Sequence, residues 1–299
     1  MKIVQSFWSK PYMSTKSSLP GSELSGGWPH RSLNYCSWAL SCLQLRKFYN
    51  SVELITDSLG KEILVNQLQL PYTRVSTAMD DLAGYDAQLF GIGKLYAYQV
   101  QDEPFLHVDG DIFIMDAFDK DISSAALIAQ NTDKNYPGYF GKCQPIWDLF
   151  TYIPAYFEDV YKHQRCHCAN LGIMGGNDMP FIRRFVAEAF NFYEKNIAAV
   201  ITSLKEIDHI LINIILEQTL FYSYARHYQA GITYLFPEVT NHPDGVGLFH
   251  AAKHNKHYVH CYGFYKSLRA SYAAVEYKLR TEYAPYYQRI SDLVAATEI

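Results

Sequence analysis

Apolar positions recur along this chain in two rhythms. Lys2 to Trp8 (KIVQSFW) reads as an opening strand, Val52 to Thr56 (VELIT) as a short β-branched run ending at Asp57, and Phe105 to Ile114 as an apolar run forming a buried strand. Between them, Leu33 to Tyr49, Gly60 to Leu68 and Phe90 to Val100 carry apolar residues at helical spacing. Ser32 stands where the first of these helices would take its N-cap. A Ser/Gly/Pro-rich loop through Pro29 separates the first strand from that helix. Strand, helix, strand in this order predicts an α/β fold.

The later pattern is less regular. Arg74 to Ala78, Ala125 to Ala129 and Gly231 to Phe236 read as further strands, and Asn131 to Gln144 as a polar, aromatic surface loop. Pro154 to Lys162 fits neither rhythm cleanly. Pro180 to Asn196 is an amphipathic helix with Pro in its first turn, and Asp208 to Tyr228 is another, with Glu217 and Gln218 in its middle. A His/Pro/Gly-rich loop runs to Lys256, Tyr258 to Tyr262 is short and extended, and from Tyr265 the pattern is helical, tyrosine-rich and broken at Pro285. Internal repeats and clear linkers are missing from the pattern, which predicts one α/β domain over residues 1–266 and a helical extension over 267–299.

Composition narrows the class. With 299 residues and 49% hydrophobic content the chain can bury a large core without staples. A formal charge of −4 with no Lys/Arg run argues against a nucleic-acid partner and a polybasic membrane surface. The N-terminal residues lack the apolar stretch of a signal peptide, and no apolar run is long enough to span a bilayer, so a soluble, cytoplasmic protein is expected. The six cysteines, Cys36, Cys42, Cys143, Cys166, Cys168 and Cys261, match no disulfide scaffold and are expected as thiols. His163, Cys166, His167 and Cys168 crowd into HQRCHC, but ligand pairs this tight rarely wrap one tetrahedral zinc.

Candidate chemistry concentrates in two places. Asp109-Gly110-Asp111 interrupts the run FLHVDGDIFIMDAF, setting two carboxylates around a glycine at the carboxyl end of a central strand, the edge where open α/β sheets bind ligands. Such a pair suits Mn²⁺ or Mg²⁺, which takes oxygen ligands and bridges them to phosphate; an acidic turn at a strand end is the plainer reading. The second place is His260-Cys261-Tyr262-Gly263-Phe264-Tyr265-Lys266, a His-x-x-Gly-x-x-Lys array. Its imidazole can complete a coordination sphere begun by Asp109 and Asp111, its glycine lets the backbone approach a diphosphate, and its lysine, expected in the first turns of a helix, can meet phosphate oxygens.

Taken together, these residues resemble the GT-A-fold nucleotide-sugar glycosyltransferases of the glycogenin and lipopolysaccharide galactosyltransferase type. The resemblance rests on the Asp-x-Asp, a preceding helix that carries a lysine, the Asn-x-Gly segment at Asn170 and the terminal His-x-x-Gly-x-x-Lys, and it covers residues 1–266. In that family the lysine is usually followed by Pro-Trp; here Ser267 and Leu268 stand in their place. The resemblance implies a Rossmann-like GT-A fold with a mixed central sheet flanked by helices, a metal held by Asp109, Asp111 and His260, and a diphosphate met by Lys266. Asp109 would also reach the ribose. It further implies donor contacts from Lys94, Asn170, Gly172 and Gly263, and a group facing the reacting carbon at Glu217 or Gln218. The ends of the first two strands, Ser6, Phe7, Trp8 and Asp57, could meet the nucleobase or ribose, although Trp8 serves equally well as core filler. The implied reaction moves a sugar from a nucleoside diphosphate sugar, UDP-sugar favoured, to a saccharide, peptide or small-molecule acceptor, with retention slightly favoured over inversion.

Two other classes fit parts of the pattern. A metal-dependent nucleotidyltransferase would also use an Asp-x-Asp and a histidine, but wants further carboxylates for a second metal. A carbohydrate-binding or scaffold protein would use the 15% aromatic content and 25 tyrosines, yet has no need of metal-ligand types at both places. The tyrosine-rich tail could pair with a second copy of the chain or hold an acceptor.

Overall fold

Strands β1 (Lys2–Phe7) and β2 (Val52–Thr56) are almost wholly buried, polar residues included, and they pair in parallel with Ile3 opposite Val52 and Phe7 opposite Thr56. The charged residue inside this pair is compensated locally: Glu53 accepts a 3.0 Å ion pair from Lys2, and both side chains are buried. β3 (Arg74–Ser76) adds to β2, again in parallel.

The computed structural model describes residues 1–14, 25–134, 139–162, 167–203, 208–236, 249 and 258–296. Two compact units make up the chain: a terminal unit of residues 2–83, 108–118 and 243–299, and a middle unit of residues 84–107 and 119–242, with Met1 grouped in the latter. The sheet order is β3-β2-β1 in the terminal unit, and β4 (Phe105–Val108), β7 (His167–Gly176), β6 (Ile128–Lys134) and β8 (Thr233–Tyr234) in the middle unit, seven strands in all. β6 runs antiparallel to β7 and parallel to β8, so the sheet is mixed, as expected.

In the terminal unit, α1 (Ser9–Ser14) opens the stretch that the sequence suggests is loop, and α2 (Arg31–Phe48) buries thirteen of its residues from Leu33 to Leu45. His30, not Ser32, takes the N-cap position of α2, and it makes no side-chain cap. The short α3 (Ser58–Lys61) leads into a π-helical stretch from Glu62 to Gln67. Of the tail, α11 (Arg269–Glu282) and α12 (Ala284–Ala295) form the expected helices, with Pro285 at the start of the second. They are part of the unit's core: Val275, Leu279 and Ile290 are buried in one cluster with Tyr35, Ala39 and Leu43 of α2. Tyr287 donates to Glu276 at 2.7 Å across the helical pair.

The middle unit holds α4 (Gly91–Gln99), α5 (Lys120–Ser124), α6 (Tyr139–Trp147), α7 (Ala155–Lys162), α8 (Met179–Ser203), α9 (His209–Ile214) and α10 (Leu220–His227). Where a surface loop is expected over residues 131–144, the described residues 131–134 end β6 and 139–144 form most of α6. Polar residues mislead here because they satisfy one another inside: buried Gln130 donates to Asn131 at 3.1 Å, and Asn131 donates to Asp133 at 2.7 Å. The loop expected up to Lys256 lies almost wholly outside the described residues, as do His163 and Cys166 of the HQRCHC stretch. The five described cysteines are buried free thiols. No described helix is long and apolar enough to cross a membrane.

Candidate metal centre

The run from Phe105 to Ile114 is not one strand. It breaks into β4 and β5 (Ile112–Ile114), and Asp109-Gly110-Asp111 is the connection between them. Three contacts within the terminal unit fix this connection. Gln5, buried in β1, donates from Nε2 to the Val108 carbonyl at 3.4 Å. Ser37 of α2 donates to the Gly110 carbonyl at 2.8 Å, and the Asp109 carbonyl accepts from Ile112 N at 3.1 Å. Glycine is required at the centre for space rather than for φ, since a Cβ on Gly110 would sit 2.6 Å from the Trp38 ring. Trp38 in turn packs edge-on against Phe7 with ring centroids 5.0 Å apart.

β5 leaves the main sheet and pairs antiparallel with β9 (Tyr258–His260). The register sets Ile112 opposite His260, and Cys261 N donates to the Asp111 carbonyl at 3.0 Å. This pairing, far apart in sequence, delivers the imidazole to the carboxylates. One ligand atom from each of Asp109, Asp111 and His260 lies within 4.8 Å of the others, and His260 Nε2 is 3.3 Å from Asp111 Oδ1. After β9 the chain enters a 3₁₀ turn, Gly263–Ser267, rather than the α-helix expected to carry Lys266, and the helix α11 begins only at Arg269. Gly263 holds φ +51°, the left-handed conformation that glycine adopts without strain. The turn brings Lys266 Nζ to 2.9 Å from Asp111 Oδ2. Lys266 also donates to the Gly26 carbonyl at 2.8 Å and lies 5.9 Å from the Trp28 ring centroid.

Burial alone would raise the Asp111 pKa; the Lys266 ammonium and then His260 outweigh it and hold the carboxyl well below the usual carboxylate range. The donor set fits a divalent cation. Two carboxylates and an imidazole suit Mn²⁺ well and Mg²⁺ acceptably. Asp111 Oδ1 is buried without a well-formed hydrogen bond although His260 Nε2 is its near neighbour, the arrangement of two ligand atoms that a shared cation would bridge.

The remaining sequence candidates fall into two groups. In the terminal unit, Phe7 is a core residue stacked near Tyr12 and Trp38, and Trp8 is 5% exposed, so both fill the interior. Ser6 is half-buried beside them. The Asp57 carboxylate caps α3: it accepts from Gly60 N at 2.7 Å, from Ser9 N at 2.9 Å and from Ser9 Oγ at 2.7 Å. In the middle unit, Lys94, Asn170, Gly172 and Glu217 form a buried polar cluster. Lys94 Nζ lies 3.0 Å from Glu217 Oε1 and donates to the Leu171 carbonyl at 3.0 Å, while Tyr98 donates to Glu217 at 3.0 Å. Asn170 accepts from Gly172 N at 3.0 Å. Glu217 stands in a π-helical stretch, Ile215–Thr219, and Gln218 beside it is half-buried. His107, stacked edge-on with Tyr98, has its pKa pushed well below the usual histidine value by burial and by Lys94.

Sequence reasoning misses Ser37, Trp38, Tyr98 and the turn at Gly26-Gly27-Trp28. The paired glycines were the available signal: Gly26 and Gly27 have φ +57° and +85°.

Among solved structures, the chain is 11% identical to the galactosyltransferase LgtC in complex with donor and acceptor sugar analogs, over 78% of this chain and 73% of that one, with a TM-score of 0.39. It is 10% identical to apo mouse xyloside xylosyltransferase 1, over 78% of this chain and 84% of that one, also with a TM-score of 0.39. No curated protein matches the chain. A family of unknown function, DUF6734, matches residues 1–293, and the chain belongs to that family.

Proposed function

We propose that this chain is a metal-dependent GT-A-type glycosyltransferase that moves a sugar from a nucleoside diphosphate sugar, UDP-sugar favoured and with retention, to a saccharide, peptide or small-molecule acceptor. The observation that carries this reading is the convergence in one unit of Asp109, Asp111 and His260, with ligand atoms within 4.8 Å, and of the Lys266 ammonium beside them. Asp109, Asp111 and His260 would hold the cation, Mn²⁺ or Mg²⁺, which when bound supplies positive charge toward the developing nucleoside diphosphate. Lys266 is the group of this chain that offers phosphate oxygens a flexible ammonium. Among the described residues, no atom lies within 4 Å of a Cβ position on Gly263, and this suits close approach by a diphosphate. Glu217 and Gln218 are the groups to test for action at the reacting carbon. A nucleotidyltransferase with two metals is the poorer reading, because the described residues offer a single cluster of this kind.

The test is incubation of the protein with a panel of nucleotide sugars and Mn²⁺, following slow donor hydrolysis and nucleotide-dependent thermal stabilisation. One donor should be hydrolysed, with loss of turnover on chelation and in Asp111→Asn. If all donors stay intact and no nucleotide stabilises the protein with Mn²⁺, the reading is lost.

A further inference from the structure

We infer that Lys266 is an internal counter-ion that competes with the divalent cation for Asp111, and that a diphosphate relieves this competition, making one side chain the coupling between metal and nucleotide binding. The inference rests on the reading above and assigns the turn at Gly26-Gly27 a part in it. Asp111 is engaged through both oxygens, Oδ2 by Lys266 at 2.9 Å and Oδ1 by the imidazole at 3.3 Å. The ammonium is held there from behind: the Gly26 carbonyl accepts from it at 2.8 Å, and the Lys266 Cδ runs 3.4 Å from where a Gly27 Cβ would stand. Left-handed φ values at Gly26 and Gly27 allow that carbonyl to be presented, a conformation most other residues adopt only with strain.

Charge balance sets the competition. Lys266 offsets the negative charge that Asp111 would otherwise present to a cation. A dication among the same ligands meets an ammonium in contact with one of its own ligand oxygens. At 18% and 14% side-chain exposure, Lys266 and Asp111 are shielded enough from water that this repulsion is only partly screened. A diphosphate offers the ammonium a stronger partner than the Gly26 carbonyl, and four methylenes give Lys266 the freedom to turn toward it. Asp111 is then left to the cation alone.

Calorimetric titration of Mn²⁺ into the full chain, with and without UDP, tests this without any turnover. Wild type should bind Mn²⁺ more tightly when UDP is present. Lys266→Met should bind Mn²⁺ alone roughly tenfold more tightly than wild type, about the worth of one partly shielded ion contact, and should gain little from UDP. Lys266→Arg keeps the cation and should keep the weak, UDP-responsive binding. The inference is overturned if Lys266→Met binds Mn²⁺ alone no better than wild type, or if Lys266→Arg binds it as tightly as Lys266→Met. Asp111→Asn separates the two levels: Mn²⁺ binding unaffected by that change removes the metal centre itself, whereas its loss alongside an unchanged Lys266→Met removes only the counter-ion role.

Discussion

Lys94 of α4 and Glu217 of the π-helical stretch after α9 form a 3.0 Å ion pair with side chains only 16% and 5% exposed. A charge this shielded depends on its partner. Lys94→Met should therefore destabilise the protein by about 3 kcal/mol, because it removes the cation from the shielded Glu217 carboxylate, while the double variant Lys94→Met/Glu217→Leu should recover much of the loss. Urea unfolding of the singles and the double measures this. A double variant as unstable as the sum of the singles would show that the pair is not an energetic unit.

The Asp-Gly-Asp connection should be sensitive to a single methyl. Gly110→Ala sets a Cβ 2.6 Å from Trp38, so either the indole or the connection must shift. A cost of about 1–3 kcal/mol is expected, with Mn²⁺ affinity reduced by more than the stability loss explains, since the two carboxylates flank the displaced residue. Ser37→Ala removes a 2.8 Å hydrogen bond to the Gly110 carbonyl and should cost about 1 kcal/mol with a milder effect on metal. Paired melting curves and Mn²⁺ titrations compare the two.

The buried thiols should be chemically silent in the folded protein. Burial, helped by Glu276, pushes the Cys36 pKa up to about 12. A folded value above the unfolded one, about 8.5, gives stability that is fully present below pH 8.5 and is lost as pH rises toward the folded value. In a Cys166→Ser background, a thiol reagent at pH 8 should find the five described cysteines only after denaturant is added. Unfolding free energy should fall above about pH 8.5, less steeply in Cys36→Ala. Fast labelling of the native protein would contradict this burial.

The tail should be indispensable to folding. Leu279 is fully buried in the core shared with α2, so Leu279→Ala should cost about 2–5 kcal/mol. Ending the chain after Leu268 removes α11 and α12 and should leave a protein with a lower melting temperature or none at all. A truncated protein that melts as the full chain does would place the tail outside the core.

Much of the fold can be read along the chain, because burial leaves a local imprint. β1 and β2, almost wholly buried and paired in parallel, read as strands from their short β-branched and apolar stretches, and α2, α4, α8 and the helical tail carry their spacing in plain view. The polar strand β6 cannot be read that way. Its Gln130 and Asn131 are tolerated inside only because each finds a partner there, and their composition is that of a surface loop.

The candidate metal ligands were identifiable from residue type and spacing alone: carboxylates around a glycine at a strand end, and an imidazole followed by a glycine and a lysine. Tertiary structure alone decided that they meet. The β5–β9 register carries His260 to Asp111, and no local propensity sets the pairing of strands so distant along the chain. It also decided which atoms lie beside the other candidates. Asp57 caps a helix, Phe7 and Trp8 fill the interior, and Lys94 neutralises Glu217, because a side chain's role depends on which atoms are packed beside it. The partner of Lys266 was likewise invisible in sequence: a backbone carbonyl at Gly26 has no side-chain signature, and only the fold brings it within 2.8 Å of the ammonium.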